Sequence, residues 1–232
     1  MRCIIVGSSM AMPSLQLSYE DTWVYKLIKI YKDSEFVDKS RRSSSVRRLV
    51  SEGQNSLGYD LLEFYNPNFV ILQIGITDAS PRLLPRGKLY TKIINKLPFS
   101  KFIYNIVRKT KGRTISCADL TQEQFYDCLS KYAKRALDLG IDVYCIKIAH
   151  CGSKVIKVSP HMNEAIDLYN KMYDKLSCEF DNVQLITPFA GYDESKLDDI
   201  LQSDHIHLTP KGCDIVLNNI LSVIRFEDYI KK

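Results

Sequence analysis

Several absences narrow this sequence before any of its motifs do. No apolar run approaches the roughly 20 residues that a membrane-spanning helix needs. No charged segment followed by an apolar one opens the chain, so the expected setting is the cytoplasm. The seven cysteines (Cys3, Cys117, Cys128, Cys145, Cys151, Cys178 and Cys213) are odd in number and follow no ligand spacing. Neither a disulfide framework nor a zinc site is therefore expected, and they read as reduced thiols. Internal repeats and low-complexity tracts are missing too. The last absence is local: from Pro81 to Thr114 there is no Asp or Glu, while Arg82, Arg86, Lys88, Lys92, Lys96, Lys101, Arg108, Lys109, Lys111 and Arg113 all fall there. These cations outnumber the whole chain's net charge of +5, so the remainder is net acidic and the positive charge sits in one segment.

What is present is a rhythm of short apolar runs and amphipathic stretches. Cys3-Ile-Ile-Val6 ends at Gly7 and reads as a strand covered on both faces. Val24, Leu27, Ile28 and Tyr31 follow at helical spacing, with Ser18 as the expected cap. Glu35 to Asp38 is a second strand candidate, followed by the basic loop Ser40 to Arg48 and a further loop at Gly53 to Gly58. Tyr59 to Tyr65 reads as a short helix stopped by Asn66-Pro67, and Phe69 to Ile74 is the clearest strand. The basic segment at about 81–114 interleaves its cations with apolar residues and reads as an insertion of short amphipathic helices. Beyond it, Thr121-Gln-Glu-Gln124 matches a capping box for a helix running to Gly140. Asp142 to Ile148 and Val183 to Ile186 are strands, Ser159-Pro160 opens a helix between them, and Thr209-Pro210 caps a last one. Alternation of this kind implies one α/β domain, residues 1–232, with a parallel, doubly wound sheet.

Gly7-Ser8-Ser9 puts two hydroxyls just past the first strand, where open α/β sheets bind ligands. Ser9, Ser8, or neither, if both only cap the next turn, are the readings for a nucleophile there. Near the other end, Asp204 and His207 lie three residues apart before the last helix. His207 can serve as base for a serine while Asp204 fixes its tautomer, with His205 as the competing base. His150, beside Cys151 and Gly152, either lines the site or is structural.

These pieces together resemble the SGNH, or GDSL-like, hydrolase family over nearly the whole chain. The motif serine maps onto Ser9. The second-block glycine falls near Arg42-Ser43-Ser44, at Ser43. The third block, Gly-x-Asn-Asp, corresponds to Gly75-Ile76-Thr77-Asp78, with Thr77 where asparagine is usual. The fifth, Asp-x-x-His, is matched in full by Asp204-His205-Ile206-His207. The resemblance implies a flavodoxin-like α/β/α fold with about five parallel strands, a triad of Ser9, His207 and Asp204, and an oxyanion hole from Ser9, Ser43 and Thr77. Ser43 keeps an amide donor freely if its φ is negative and is strained otherwise.

Arg41, Arg42, Asp78 and His205 are the expected substrate-binding residues, although Asp78 also reads as a carboxylate holding loop amides. Neither cofactor nor metal is expected. The implied activity is an esterase removing O-acetyl groups from an anionic carbohydrate or lipid-linked glycan in polysaccharide metabolism. A sugar O-acetyltransferase using the same site and a non-catalytic membrane- or complex-binding module are the alternatives. For the insertion, an anionic membrane surface, a lid and an oligomer contact stay open; nucleic acid is disfavoured, because no groove-reading motif occurs.

Overall fold

In the computed structural model, which describes residues 1–50, 59–85, 88–110 and 113–230, five short strands run parallel in one sheet. The loop expected over Gly53 to Gly58 lies outside the described residues. β1 (Arg2–Gly7), β2 (Glu35–Asp38), β3 (Phe69–Gln73), β4 (Asp142–Ile146) and β5 (Val183–Ile186) are ordered β2-β1-β3-β4-β5.

Their sequences are apolar without alternation because both faces are covered. Ile4 and Val6, Val70 and Leu72, and Val143 and Cys145 pack toward α2 (Tyr59–Tyr65), α6 (Gln122–Asp138) and α8 (Met162–Glu179). The intervening residues Cys3, Ile5, Phe69, Ile71, Tyr144 and Ile146 pack toward α1 (Trp23–Ile30), α9 (Pro210–Val223) and α10 (Phe226–Ile230). The result is three layers. None of the described helices is long and apolar enough to cross a membrane.

The strand order places the switch point between β1 and β3, since the chain runs outward from β1 to β2 and then crosses back over it. A crevice opens there at the carboxyl ends of the strands. Two loops flank it: the 3-10 turn Ser9–Ala11 after β1, and the short α3 (Ile76–Ala79) after β3. They are tied together, for the Ser8 amide donates to the Gln73 carbonyl at 2.8 Å, and the Gln73 side chain accepts from Trp23 Nε1 at 2.9 Å.

Local signals held where the side chain that carried them was free to act. Thr121 and Gln124 form the expected capping box of α6, and Thr209 caps α9 by accepting from the Gly212 amide at 3.2 Å. Ser18 is a correction. Its hydroxyl is bonded within the preceding turn, to Asp21, and Thr22 caps α1 instead, accepting from the Tyr25 amide at 3.2 Å.

The Ser159-Pro160 pair likewise does not cap α8, which begins at Met162 after His161. The Ser159 amide closes α7 (Ser153–Val158) by bonding the Val155 carbonyl. Neither α7 nor α10 was expected, both being too short to show a period. β4 stops at Ile146 rather than Ile148, whose amide turns to the Asn170 side chain at 2.9 Å.

Candidate active site

Gly7 ends β1 because the chain folds back tightly over it: a Cβ there would collide with Ala11 and with the Ser40 hydroxyl. The turn that follows assigns different tasks to the two serines. Ser8 is buried, and its hydroxyl caps the turn by accepting from the Met10 amide at 3.4 Å. Ser9 is half-buried at the crevice, with its Oγ 2.9 Å from His207 Nε2. On the far side of the ring, His207 Nδ1 lies 2.5 Å from Asp204 Oδ2. A carboxylate can only accept, so Nδ1 carries the proton and Nε2 is left to accept from the Ser9 hydroxyl.

The loop carrying Asp204 and His207 is held from within. Asp204 Oδ1 accepts the Ile206 and His207 amides, both at 3.0 Å. Burial pushes the Asp204 carboxyl up, but the bonds from the His207 ring and from these amides outweigh it and keep it below the usual carboxylate range. Gln202, buried beneath, donates to the Leu208 carbonyl at 2.6 Å and accepts from Ser14 Oγ at 2.8 Å. Gln16 and Ser203 bond reciprocally, so the Ser14–Leu17 turn is latched to the same loop. These supporting residues were missed in the sequence, since polar side chains in loops carry no periodic signal.

Ser9, Arg42, Ser43, Asp204 and His207 line one cleft of about 410 Å³, with the exposed Leu15 at its rim. Ser43 has φ +56°, in the left-handed region that favours glycine. The strain anticipated for a serine in that conformation is therefore present. Among the described residues, the Ser9 and Ser43 amides donate to no protein acceptor.

Other expected site residues lie elsewhere. Arg41 is exposed and does not line the cleft. Thr77 is half-buried in the first turn of α3 and does not line it either; its carbonyl accepts from Arg82 at 3.1 Å. Asp78, expected among substrate-binding residues, is fully buried. It accepts from Ser45 Oγ at 2.5 Å and from the Val46 amide at 3.0 Å, clamping the loop after β2 to the loop after β3. Burial pushes its carboxyl up to about 6, although both of these bonds oppose the rise.

His205 is a second correction. It does not line the cleft; with φ +57° it places Nδ1 2.7 Å from Asp198 Oδ1. Asp198 also accepts the Ser153 amide and hydroxyl, at 2.9 and 2.6 Å, so this cluster fastens the loop after β4. His150 pairs with Asp167 at 2.7 Å in a separate cleft. Among the described residues no three His, Cys, Asp or Glu side chains converge as a metal site would.

Sequence comparison alone finds no matching family model and no matching curated protein. Solved structures do match. TesA is 16% identical with a TM-score of 0.61, over 97% of this chain and 98% of that one. The lipase/acylhydrolase from Enterococcus faecalis is 16% identical with a TM-score of 0.63, over 98% and 97% of the two chains. Axe2, an acetylxylan esterase from Geobacillus stearothermophilus, is 14% identical with a TM-score of 0.63, over 95% and 92%.

The fold is that of the SGNH hydrolases. The residues that carried the resemblance lie in loops at one edge of the sheet. Ser9 follows β1, Ser43 follows β2, Thr77 follows β3, and Asp204 and His207 precede α9. At these identities the likeness extends to the fold, and the chemistry must be argued from the side chains.

Proposed function

We propose that the protein is a serine ester hydrolase that works through an acyl-enzyme on Ser9. The observation that carries this reading is the unbroken chain of hydrogen bonds from Ser9 Oγ through the His207 ring to Asp204. Ser9 Oγ attacks the acyl carbonyl carbon while its proton passes to His207 Nε2. Asp204, held ionised, stabilises the imidazolium that results. The Ser9 and Ser43 amides receive the oxyanion, both residues lining the cleft. Collapse expels the alcohol, which takes the proton from His207; water then attacks the acyl-enzyme with His207 again as base, releasing the acid and freeing Ser9.

The substrate class we favour is an O-acetylated carbohydrate or lipid-linked glycan of polysaccharide metabolism. Arg42 at the wall of the cleft suits an anionic sugar. The acetylxylan esterase among the structural neighbours supports the same class. Hydrolysis of a p-nitrophenyl acetate ester and labelling by a fluorophosphonate probe test the reading. The intact chain should do both, and Ser9→Ala should lose labelling and about 10⁴-fold or more of the rate. Labelling that survives in Ser9→Ala overturns it. Acetate release from an acetylated oligosaccharide, with and without an acceptor sugar, then separates hydrolysis from transfer.

A further inference from the structure

Between α3 and α6 the chain leaves the body at Arg82 and returns at Thr114, the two joined by an isolated antiparallel bridge. Arg82 is anchored there by Asp119 at 3.0 Å. The excursion carries two helices, α4 (Leu89–Lys96) and α5 (Ser100–Thr110), packed on each other, with Tyr104 donating to Asn95 at 2.8 Å. Each helix has an inner and an outer face. Thr91 of α4 is buried, and Ile103, Tyr104 and Val107 of α5 are half-buried. Leu89, Tyr90, Ile93, Phe99, Phe102 and Ile106 are between 45% and 74% exposed. Phe102 and Ile106 lie one turn apart on one stripe.

A solvated helix face would be polar and would mix charges of both signs. This one does neither. Lys88, Lys92, Lys96, Lys101, Arg108 and Lys109 are all exposed, and among the described residues none makes an ion pair. No carboxylate occurs anywhere between Pro81 and Thr114. Two copies of such a face would bring like charges together. An apolar stripe whose only neighbouring charges are positive instead fits the boundary of a bilayer with anionic headgroups, where the apolar side chains leave water and the lysines meet phosphates.

We propose that the α4–α5 excursion docks the protein on an anionic membrane surface. The excursion springs from the loop after β3, at the same sheet edge as Ser9 and His207, so docking would present a membrane-linked ester to the cleft. That consequence rests on the hydrolase reading; the binding itself does not.

Flotation of the full chain with vesicles tests it. Phosphatidylcholine vesicles containing phosphatidylglycerol should carry the protein up, phosphatidylcholine alone should not, and added salt should weaken the binding. Replacing three cations together (Lys92→Gln, Lys96→Gln and Lys101→Gln) should lower partitioning about a hundredfold. Phe99→Ser with Phe102→Ser should lower it too, both variants melting like the parent because none of these side chains is in the core. Ser9→Ala should bind as the parent does, so loss of ester hydrolysis and loss of binding are read separately. The proposal is overturned by equal binding to neutral vesicles, by no binding at all, or by variants that bind unchanged. A dimer abolished by the Phe99 and Phe102 changes, or retention on RNA, without vesicle binding, overturns it equally.

Discussion

Ser43 keeps its amide beside the cleft at the expense of a left-handed backbone, φ +56°, that a side chain with a Cβ resists. Ser43→Gly should therefore raise stability by about 0.5–1 kcal/mol in urea unfolding while leaving turnover close to that of the parent, because the proposed mechanism draws only on its amide. Thr77→Ala, in contrast, should slow turnover by far less than the roughly 10² to 10³ typical of losing a direct oxyanion donor, because Thr77 does not line the cleft.

Asp78 makes a pH-sensitive contribution to stability. Its carboxyl is raised from 3.8 to about 6 in the folded protein, so the folded state binds the proton more tightly than the unfolded chain does. The stabilisation this gives is fully present below about 4 and is lost as the pH rises through 6. The shift corresponds to on the order of 3 kcal/mol. Unfolding free energies measured from pH 7 down to pH 5 should rise for the parent relative to Asp78→Asn, which has no proton to bind. Parallel profiles would rule this out.

At the scale of elements, the helices with strong local signals were legible and the loops were not. Thr121 and Thr209 cap their helices, their hydroxyls accepting the Gln124 and Gly212 amides. Ser18 does not, because Asp21 captures it first. The loop from Leu201 to Leu208 depends on contacts that only the fold supplies: Gln202 reaches Ser14, 188 positions away. Gln202→Ala leaves the buried Leu208 carbonyl and the Ser14 hydroxyl without this partner. We expect a loss of about 1–3 kcal/mol in stability. We also expect a fall in kcat larger than any rise in KM, since His207 would be less firmly aimed. Unchanged kcat in a folded Gln202→Ala would show that the latch does not position the imidazole.

Over the whole molecule, the sheet and the site were readable from the sequence to different depths. Runs such as Cys3 to Val6 and Phe69 to Ile74 announced strands buried on both faces, and the capped helices between them announced a parallel, doubly wound sheet. The order of the motifs selected Ser9, Asp204 and His207. The sequence by itself determined the strands and the capped helices, because they rest on periodicity and caps, local properties of the chain, whereas the site residues were singled out by the resemblance of its motifs to the SGNH family. Only the tertiary structure decided that Ser9 and not Ser8 meets the imidazole, across a separation of 198 positions. It also decided that Asp78 and His205, expected at the substrate, are occupied with Ser45, Val46 and Asp198 in holding loops. A polar side chain in a loop takes whichever partner the folded neighbours bring within reach, and that choice is made by packing among residues far apart in the chain.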